Sequence, residues 1–347
     1  MASTHIKGLD GIRALSVLIV ITAHTLGIVN IPGGFGVTVF FFLSGFLITT
    51  LLLKEFEKSK KINYKNFMMR RVLRILVPLY TVYFLLLLLN FLGLYPATYT
   101  LDGVLSQVFF LTNYYKIFGN EDNLLDGTGI IWSLAVEEHF YILFPLLFVV
   151  FVKRKVEYLL YFSVILCLII LGWRYYLSFE YEEYSRFYLA TDTRFDSILY
   201  GVVLALIMNV KNMFVIKNKI SLTDICIIFF SLSGLMFTFL YRDSEFRNTL
   251  RYTIQGLSLM PLFYYSVTRP NNFLFSWLNL SVLKIIGLYS YMMYLVHFPI
   301  MLMLQHYFNM IDGGYQFIAV LVCTFSVSAL SYKYLESPVL KLKNKFV

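Results

Sequence analysis

The chain has 347 residues, of which 59% are hydrophobic and 14% charged, with a mean hydropathy of +0.71 and a formal charge of +9. An average soluble domain carries about 25% charged residues, so a soluble fold of this length could not cover so much apolar surface. Nucleic-acid binding is excluded as the meaning of the charge, because the basic residues sit in short gaps between apolar runs, as membrane topology requires.

A membrane-crossing helix needs about 20 mostly apolar residues. In chain order such runs fall at 12–29, 36–53, 75–94, 131–152, 157–177, 195–210, 222–241, 253–267, 283–305 and 316–335. The shortest, 195–210 and 253–267, read as thin, tilted or broken helices. The first run lacks a small-residue cleavage signal and reads as a retained span, not a signal peptide. The stretch 101–113 is apolar but too short to span, and reads as interfacial or re-entrant. It lies in the longest gap, 94–130, whose length predicts a folded cap on the outer face or a disordered loop. Cys167, Cys226 and Cys323 lie in apolar runs without C-x-x-C spacing. They read as core side chains, with no disulfide framework and no metal site. The expected fold is all-α, a polytopic transmembrane bundle of about ten spans. There is no internal repeat and no soluble domain, so residues 1–347 form one membrane domain, with no fused extracytoplasmic domain expected.

Loop charge orients the bundle. With the N-terminus in the cytoplasm, Lys7, Arg13 and the gaps at 54–74, 153–155, 211–219, 269–284 and 333–345 collect 22 of the 29 Lys and Arg residues. Lys116, Arg174, Arg186, Arg194, Arg242, Arg247 and Arg251 fall outside. This positive-inside bias places both ends of the chain in the cytoplasm.

Ionisable groups within spans cost about 2.5–3.5 kcal/mol on insertion scales and are candidates for function. Arg13 and His24 share the first span. Eleven residues make three turns plus about 20°, so both face the same way, about 16 Å apart along the axis. The fourth span opens Trp132-Ser133-Leu134-Ala135-Val136-Glu137-Glu138-His139-Phe140-Tyr141, and three consecutive ionisable residues cannot all face lipid. Arg194 and Asp196 open the sixth span, as an edge ion pair or a substrate contact. His297 lies mid-span in the ninth. On this topology His24, Glu137, Glu138, His139, Arg194, Asp196 and His297 occupy the outer half. Arg70, Arg71 and Arg74 open the third span at the inner face, where guanidinium groups suit phosphates or anionic lipid.

Six ordered blocks carry a resemblance. They are Leu9-Asp10-Gly11-Ile12-Arg13 with His24 eleven residues on, Phe35 to Ile48, Phe67 to Pro78, Trp132 to Tyr141, Tyr291 to Pro299, and Glu336-Ser337-Pro338. Together they resemble the acyltransferase 3 family of membrane O-acyltransferases, over almost the whole chain. His139 stands where that family often has Gln. The resemblance implies an enzyme of the bacterial cytoplasmic membrane that acylates a hydroxyl of a cell-surface carbohydrate. Acyl-CoA, usually acetyl-CoA, would be the donor, and a carbohydrate or lipid-linked glycan the acceptor. It implies a catalytic set of His24, Arg13, Glu137 and Glu138. Substrate contacts would come from Asp10, Arg70, Arg71, Arg74, Trp132, Ser133, Tyr141, Arg194, Asp196, Tyr291 and His297.

These expectations join into one scheme. The inner arginines meet the phosphates of a cytosolic acyl-CoA, His24 acts as general base or carries the acyl group, and Glu137 or Glu138 orients the imidazole. A proton-coupled transporter using the same Glu and His residues, or a non-catalytic scaffold of the same fold, are the alternatives. The acceptor sugar, the acyl length and the oligomeric state are not encoded in any motif of the sequence.

Overall fold

A computed structural model describes residues 6–26, 31–181, 183–216, 219–309, 313–342 and 346. The described residues form helices and turns only. In chain order the helices are α1 (Leu9–Thr25), α2 (Gly33–Ser59), α3 (Tyr64–Phe91), α4 (Leu101–Val108), α5 (Thr112–Phe118), α6 (Trp132–Val152), α7 (Val156–Ser178) and α8 (Tyr184–Leu189). They continue with α9 (Thr191–Val210), α10 (Leu222–Leu240), α11 (Ser244–Asn248), α12 (Leu250–Thr268), α13 (Phe273–Ser276), α14 (Ser281–Phe308), α15 (Gly314–Ser331) and α16 (Ser337–Leu342). A π-helical turn, Tyr332–Glu336, joins the last two.

Each predicted apolar run falls on a helix in its described part; residues 27–29 of the first run lie outside the described residues. Among the described residues, eight stretches are long and apolar enough to cross a membrane. The run expected at 195–210 is part of one of them, Tyr184–Val210, so that segment is longer than its hydropathy suggested. Of the helices on the ten predicted runs, two fall outside this set: α1, with 17 residues, and α12, whose first turns carry Arg251, Thr253 and Gln255. The chain is thus a helical membrane bundle.

Contacts divide the chain into two compact units. Unit 1 comprises residues 1–16, 37–62 and 143–287. Its centre is α9, buried along almost its whole length. A Cβ at Gly45 would lie 2.0 Å from the Ile198 carbonyl oxygen, and one at Gly201 would lie 1.9 Å from that of Phe42. The backbones of α2 and α9 can approach this closely only because neither glycine has a side chain.

Unit 2 comprises residues 17–36, 63–142 and 288–347. Asn63 caps α3 by accepting from the Asn66 amide at 3.0 Å, and Pro78 is accommodated within the helix. The Tyr291 hydroxyl donates to the Ile75 carbonyl (2.7 Å) and the Tyr307 hydroxyl to that of Leu94 (3.0 Å), so α3 and α14 run alongside each other in the same direction. The segment between Leu94 and α6 turns inward from that end. Tyr80, eleven residues before the end of α3, donates to the Val108 carbonyl at 3.0 Å. Tyr294, thirteen residues before Tyr307, bonds the Ile130 carbonyl at 2.8 Å and the Ser133 hydroxyl at 2.7 Å. At 1.5 Å per residue, the end of α4 and the start of α6 lie about 16 and 20 Å inward.

The expected cap therefore folds back alongside α3 and α14, with Val108 held by Tyr80 and Ile130 by Tyr294. Phe110, at φ 59°, reverses the chain between α4 and α5. Irregular backbone survives at membrane depth only where protein satisfies it. Here Gln107 donates to Thr128 Oγ1 at 2.6 Å, Asp126 accepts from the Thr98 amide at 2.8 Å, and the Tyr95 hydroxyl donates to the Asp126 carbonyl at 2.7 Å. Burial pushes the Tyr95 phenol above its usual range. Gly127 has φ +79°, and a Cβ there would sit 2.6 Å from that hydroxyl. Only glycine suits both demands.

Candidate active site

Unit 2 brings together His24, from the last turn of α1, and His297, from the middle of α14. Their facing nitrogens, His24 Nδ1 and His297 Nε2, are 2.9 Å apart, and the rings stack at 5.2 Å between centroids and 13° between planes. Phe298 closes the edge of His24 at 5.3 Å. His297 is fully buried, and its Nδ1 lies 2.7 Å from the Tyr294 carbonyl.

A carbonyl can only accept, so this last contact fixes the protons of the chain. The His297 Nδ1 proton goes to Tyr294. Neither ring forms an ion pair with a carboxylate among the described residues, and an unpaired buried charge is costly, so both are neutral. His297 Nε2 then has a lone pair and accepts from His24 Nδ1–H. What remains is His24 Nε2, a basic nitrogen whose lone pair has no partner among the described residues. Carboxylates were expected in the supporting position. His297, backed by a main-chain carbonyl, takes that position instead of Glu137 or Glu138.

The α6 residues form a neighbouring group. Glu137 accepts from the Tyr141 hydroxyl at 2.9 Å. Glu138 is buried, with Oε1 unpartnered. The Arg71 guanidinium is also buried, 5.7 Å from the Phe67 ring and 5.6 Å from the Tyr141 ring, within electrostatic reach of Glu138. This corrects the expected depths. Arg71 and Glu138 were assigned to opposite halves of the membrane, yet α6 starts so far inward that its seventh residue is level with the eighth of α3. Arg71 is thereby enclosed, whereas Arg70 and Arg74 on the same helix are partly exposed. Arg70 donates to the Phe346 carbonyl at 2.7 Å. Buried Ser133 bonds the Tyr294 hydroxyl, beside buried Trp132, and Tyr291 is fixed on Ile75.

Unit 1 holds the other expected residues. Asp10 and Arg13 pair at 3.1 Å, one turn apart on α1. Arg194 and Asp196 do not pair with each other, because residues two apart on a helix point to different sides. Asp196 pairs instead with Arg174 at 2.7 Å, and both are fully buried. Arg174 also donates to the carbonyls of Thr249 (3.0 Å) and Thr193 (2.7 Å) and to Thr253 Oγ1 (2.8 Å). Arg194 donates to Thr38 Oγ1 at 2.8 Å and is ringed by Phe41, Tyr188 and Tyr252.

Sequence reading missed Arg174 and Tyr294. Arg174 was counted only as a loop charge, although it falls inside the apolar run 157–177. Tyr294 lies within the block Tyr291 to Pro299, three residues before His297, the spacing of one helical face.

An acyltransferase domain model matches residues 6–333. An O-acetyltransferase OatA of Staphylococcus aureus is 31% identical, covering 97% of this chain and 57% of the relative. A peptidoglycan O-acetyltransferase OatA of Listeria monocytogenes is 29% identical over 99% of this chain and 57% of its own length. A putative peptidoglycan O-acetyltransferase YrhL of Bacillus subtilis is 29% identical over 96% and 55%. The chain thus spans somewhat over half the length of these relatives. No solved structure matches it.

Proposed function

The chain belongs to the acyltransferase domain family, and on that premise we propose that it is a membrane O-acetyltransferase. In this reading it moves an acetyl group from acetyl-CoA to a hydroxyl of a cell-envelope glycan, with peptidoglycan the first candidate. It resides in the bacterial cytoplasmic membrane and crosses it ten times, with both ends of the chain on the cytoplasmic side. Loop charge supports that orientation, and the relatives' names support the acceptor class.

The observation that carries the reading is the directed chain from the Tyr294 carbonyl through His297 to His24. It turns one neutral imidazole nitrogen into a base held in a single orientation. The acceptor hydroxyl gives its proton to His24 Nε2 as its oxygen forms a bond to the acetyl carbon. The carbon–sulfur bond of the donor breaks, and the same proton passes from His24 to the departing thiolate, so the enzyme is unchanged at the end. While His24 is protonated, its Nδ1–H stays bonded to His297, which disperses the charge in the way a carboxylate does in a triad. Arg70 and Arg74, partly open near the start of α3, suit the donor phosphates. Arg71, committed between aromatic rings and near Glu138, holds α3 against α6.

The test is purified full chain in proteoliposomes, given acetyl-labelled acetyl-CoA and a soluble glycan acceptor. Label should appear on the glycan, and His24→Ala should abolish it. Mass spectrometry of cell-wall glycan from cells with and without the gene should show one acetyl mass difference per modified sugar. Identical spectra, with no labelled product in vitro, would overturn the proposal.

A further inference from the structure

Unit 1 carries more buried positive charge than its own side chains neutralise. Around the ring of Tyr252 lie three guanidinium groups, Arg194 at 4.0 Å, Arg251 at 4.8 Å and Arg174 at 5.5 Å. Arg251 donates to the Tyr252 hydroxyl at 2.8 Å, and also lies 5.3 Å from the ring of Tyr184. Arg247 lies 4.9 Å from that same ring. Among the described residues the only carboxylate paired within this group is Asp196, on Arg174. Arg186 and Asp192 form a separate, neutral pair. Among the described residues no carboxylate pairs with Arg194, Arg247 or Arg251. Four guanidinium groups against one carboxylate leave a surplus of three charges.

Aromatic rings attract cations but do not neutralise them. Charges at membrane depth need a counterion, because desolvation is expensive. The unmet demand is also directional. The Nε–H groups of Arg194 and Arg251 are buried and have no acceptor among the described residues. Arg247 and Arg251 approach one tyrosine ring together, at the end of unit 1 formed by α8, α11 and the start of α12, which loop charge assigns to the outer side.

We propose that Arg247 and Arg251, backed by Arg194, form a binding site for a phosphate-class oxyanion presented from the outer side of the membrane. A surplus of three charges suits a multiply charged phosphate or diphosphate better than a single carboxylate, and planar guanidinium forks match its oxygens. Such a group reaches this side on a phospholipid headgroup or on the diphosphate of a lipid-linked glycan. The site is independent of the acyl-transfer reading, and its test measures binding alone.

The probe is inorganic pyrophosphate, added to the detergent-purified full chain and followed by thermal shift. Pyrophosphate should raise the melting temperature, and Arg251→Gln should raise the half-saturating concentration about tenfold or more, as loss of a charge-assisted contact does. Arg247→Gln, which removes a half-exposed side chain, should weaken binding in the same direction and decides the matter if the Arg251 variant does not fold. Short-chain phosphatidylglycerol that competes with pyrophosphate identifies a lipid headgroup as occupant. Failure of that lipid to compete identifies a glycan-borne diphosphate. Equal shifts in wild type and Arg247→Gln, or no shift at all, overturn the site. So does a phenolate absorption band at neutral pH that vanishes in Tyr252→Phe, since the cluster would then supply its own anion.

Discussion

In unit 1 the buried ionisable groups around Arg174 are charged and tied down, whereas in unit 2 the buried imidazoles are neutral and one nitrogen is left over. Arg174 spends its donors on two carbonyls, a threonine and Asp196. Such a network fixes α7, α9 and the start of α12, and its one carboxylate is held in an ion pair with Arg174. The His24–His297 chain uses three of its four ring nitrogens internally, and the fourth is the site's chemical capacity. Burial of charge here serves architecture, and burial of neutral, directed hydrogen bonds leaves a base available.

The sharpest way to break the contrast is to remove its two centres in turn. His24→Ala should reduce transfer on the order of 10³- to 10⁴-fold, the upper part of what general base catalysis contributes, with little change in thermal stability. The assay is turnover in proteoliposomes beside a melting curve. Asp196→Asn should do the reverse. It leaves Arg174 buried without its counterion, which costs about 3–5 kcal/mol. Denaturant unfolding in detergent should show that loss, while protein that remains folded keeps its turnover. If Asp196→Asn lowered turnover without lowering stability, the division between the units would fail.

A finer test concerns direction. His297→Phe removes the acceptor for His24 Nδ1–H and frees the tautomer, so kcat should drop on the order of a hundredfold or more, with KM nearly unchanged. His297→Gln offers an amide oxygen in a similar place and should recover part of the loss. Equal defects in both variants would mean that His297 only fills space.

The smallest effect lies in the folded-back segment. Hydrogen bonds from Thr100 and then Tyr115 hold the Asp102 carboxyl below its usual range. A carboxyl whose folded pKa is depressed contributes stability that is present above its unfolded pKa and lost as pH falls through the folded one. Amide protection factors over 100–123, which correct for the slower intrinsic exchange at acid pH, should fall slightly when pH drops below the ordinary carboxylate range. Asp102→Asn should show no such loss of protection.

Much of this was legible in the sequence, for definite reasons. Hydropathy marked every long helix, because a bilayer imposes length and apolarity on each crossing separately. His24, His297 and the pair Glu137–Glu138 stood out because ionisable groups inside apolar runs are costly. Pairing was not legible. Nothing local links His24 to His297, 273 residues away, or Arg174 to Asp196 across two helices. Depth misled for a related reason. Counting alternate crossings treats 94–130 as a loop beyond the helix ends, whereas Tyr80 and Tyr294 hold it beside the middle of α3 and α14, which shifts α6 along those helices and brings Glu138 near Arg71.

The inward fold of residues 95–131 also changes the geometry of delivery. A bilayer core is about 30 Å thick. Tyr294 lies about 20 Å along α14 from Tyr307, so His297, one turn nearer, is about 15 Å from that end. In the proposed reaction a glycan chain, too hydrophilic to enter hydrocarbon, would have to penetrate half a membrane if α6 began at the headgroups. Irregular, hydrogen-bonding backbone level with Tyr294 would instead supply a polar route through protein. The permeability barrier before a sugar hydroxyl on its way to the base would then be thinner than the membrane around it.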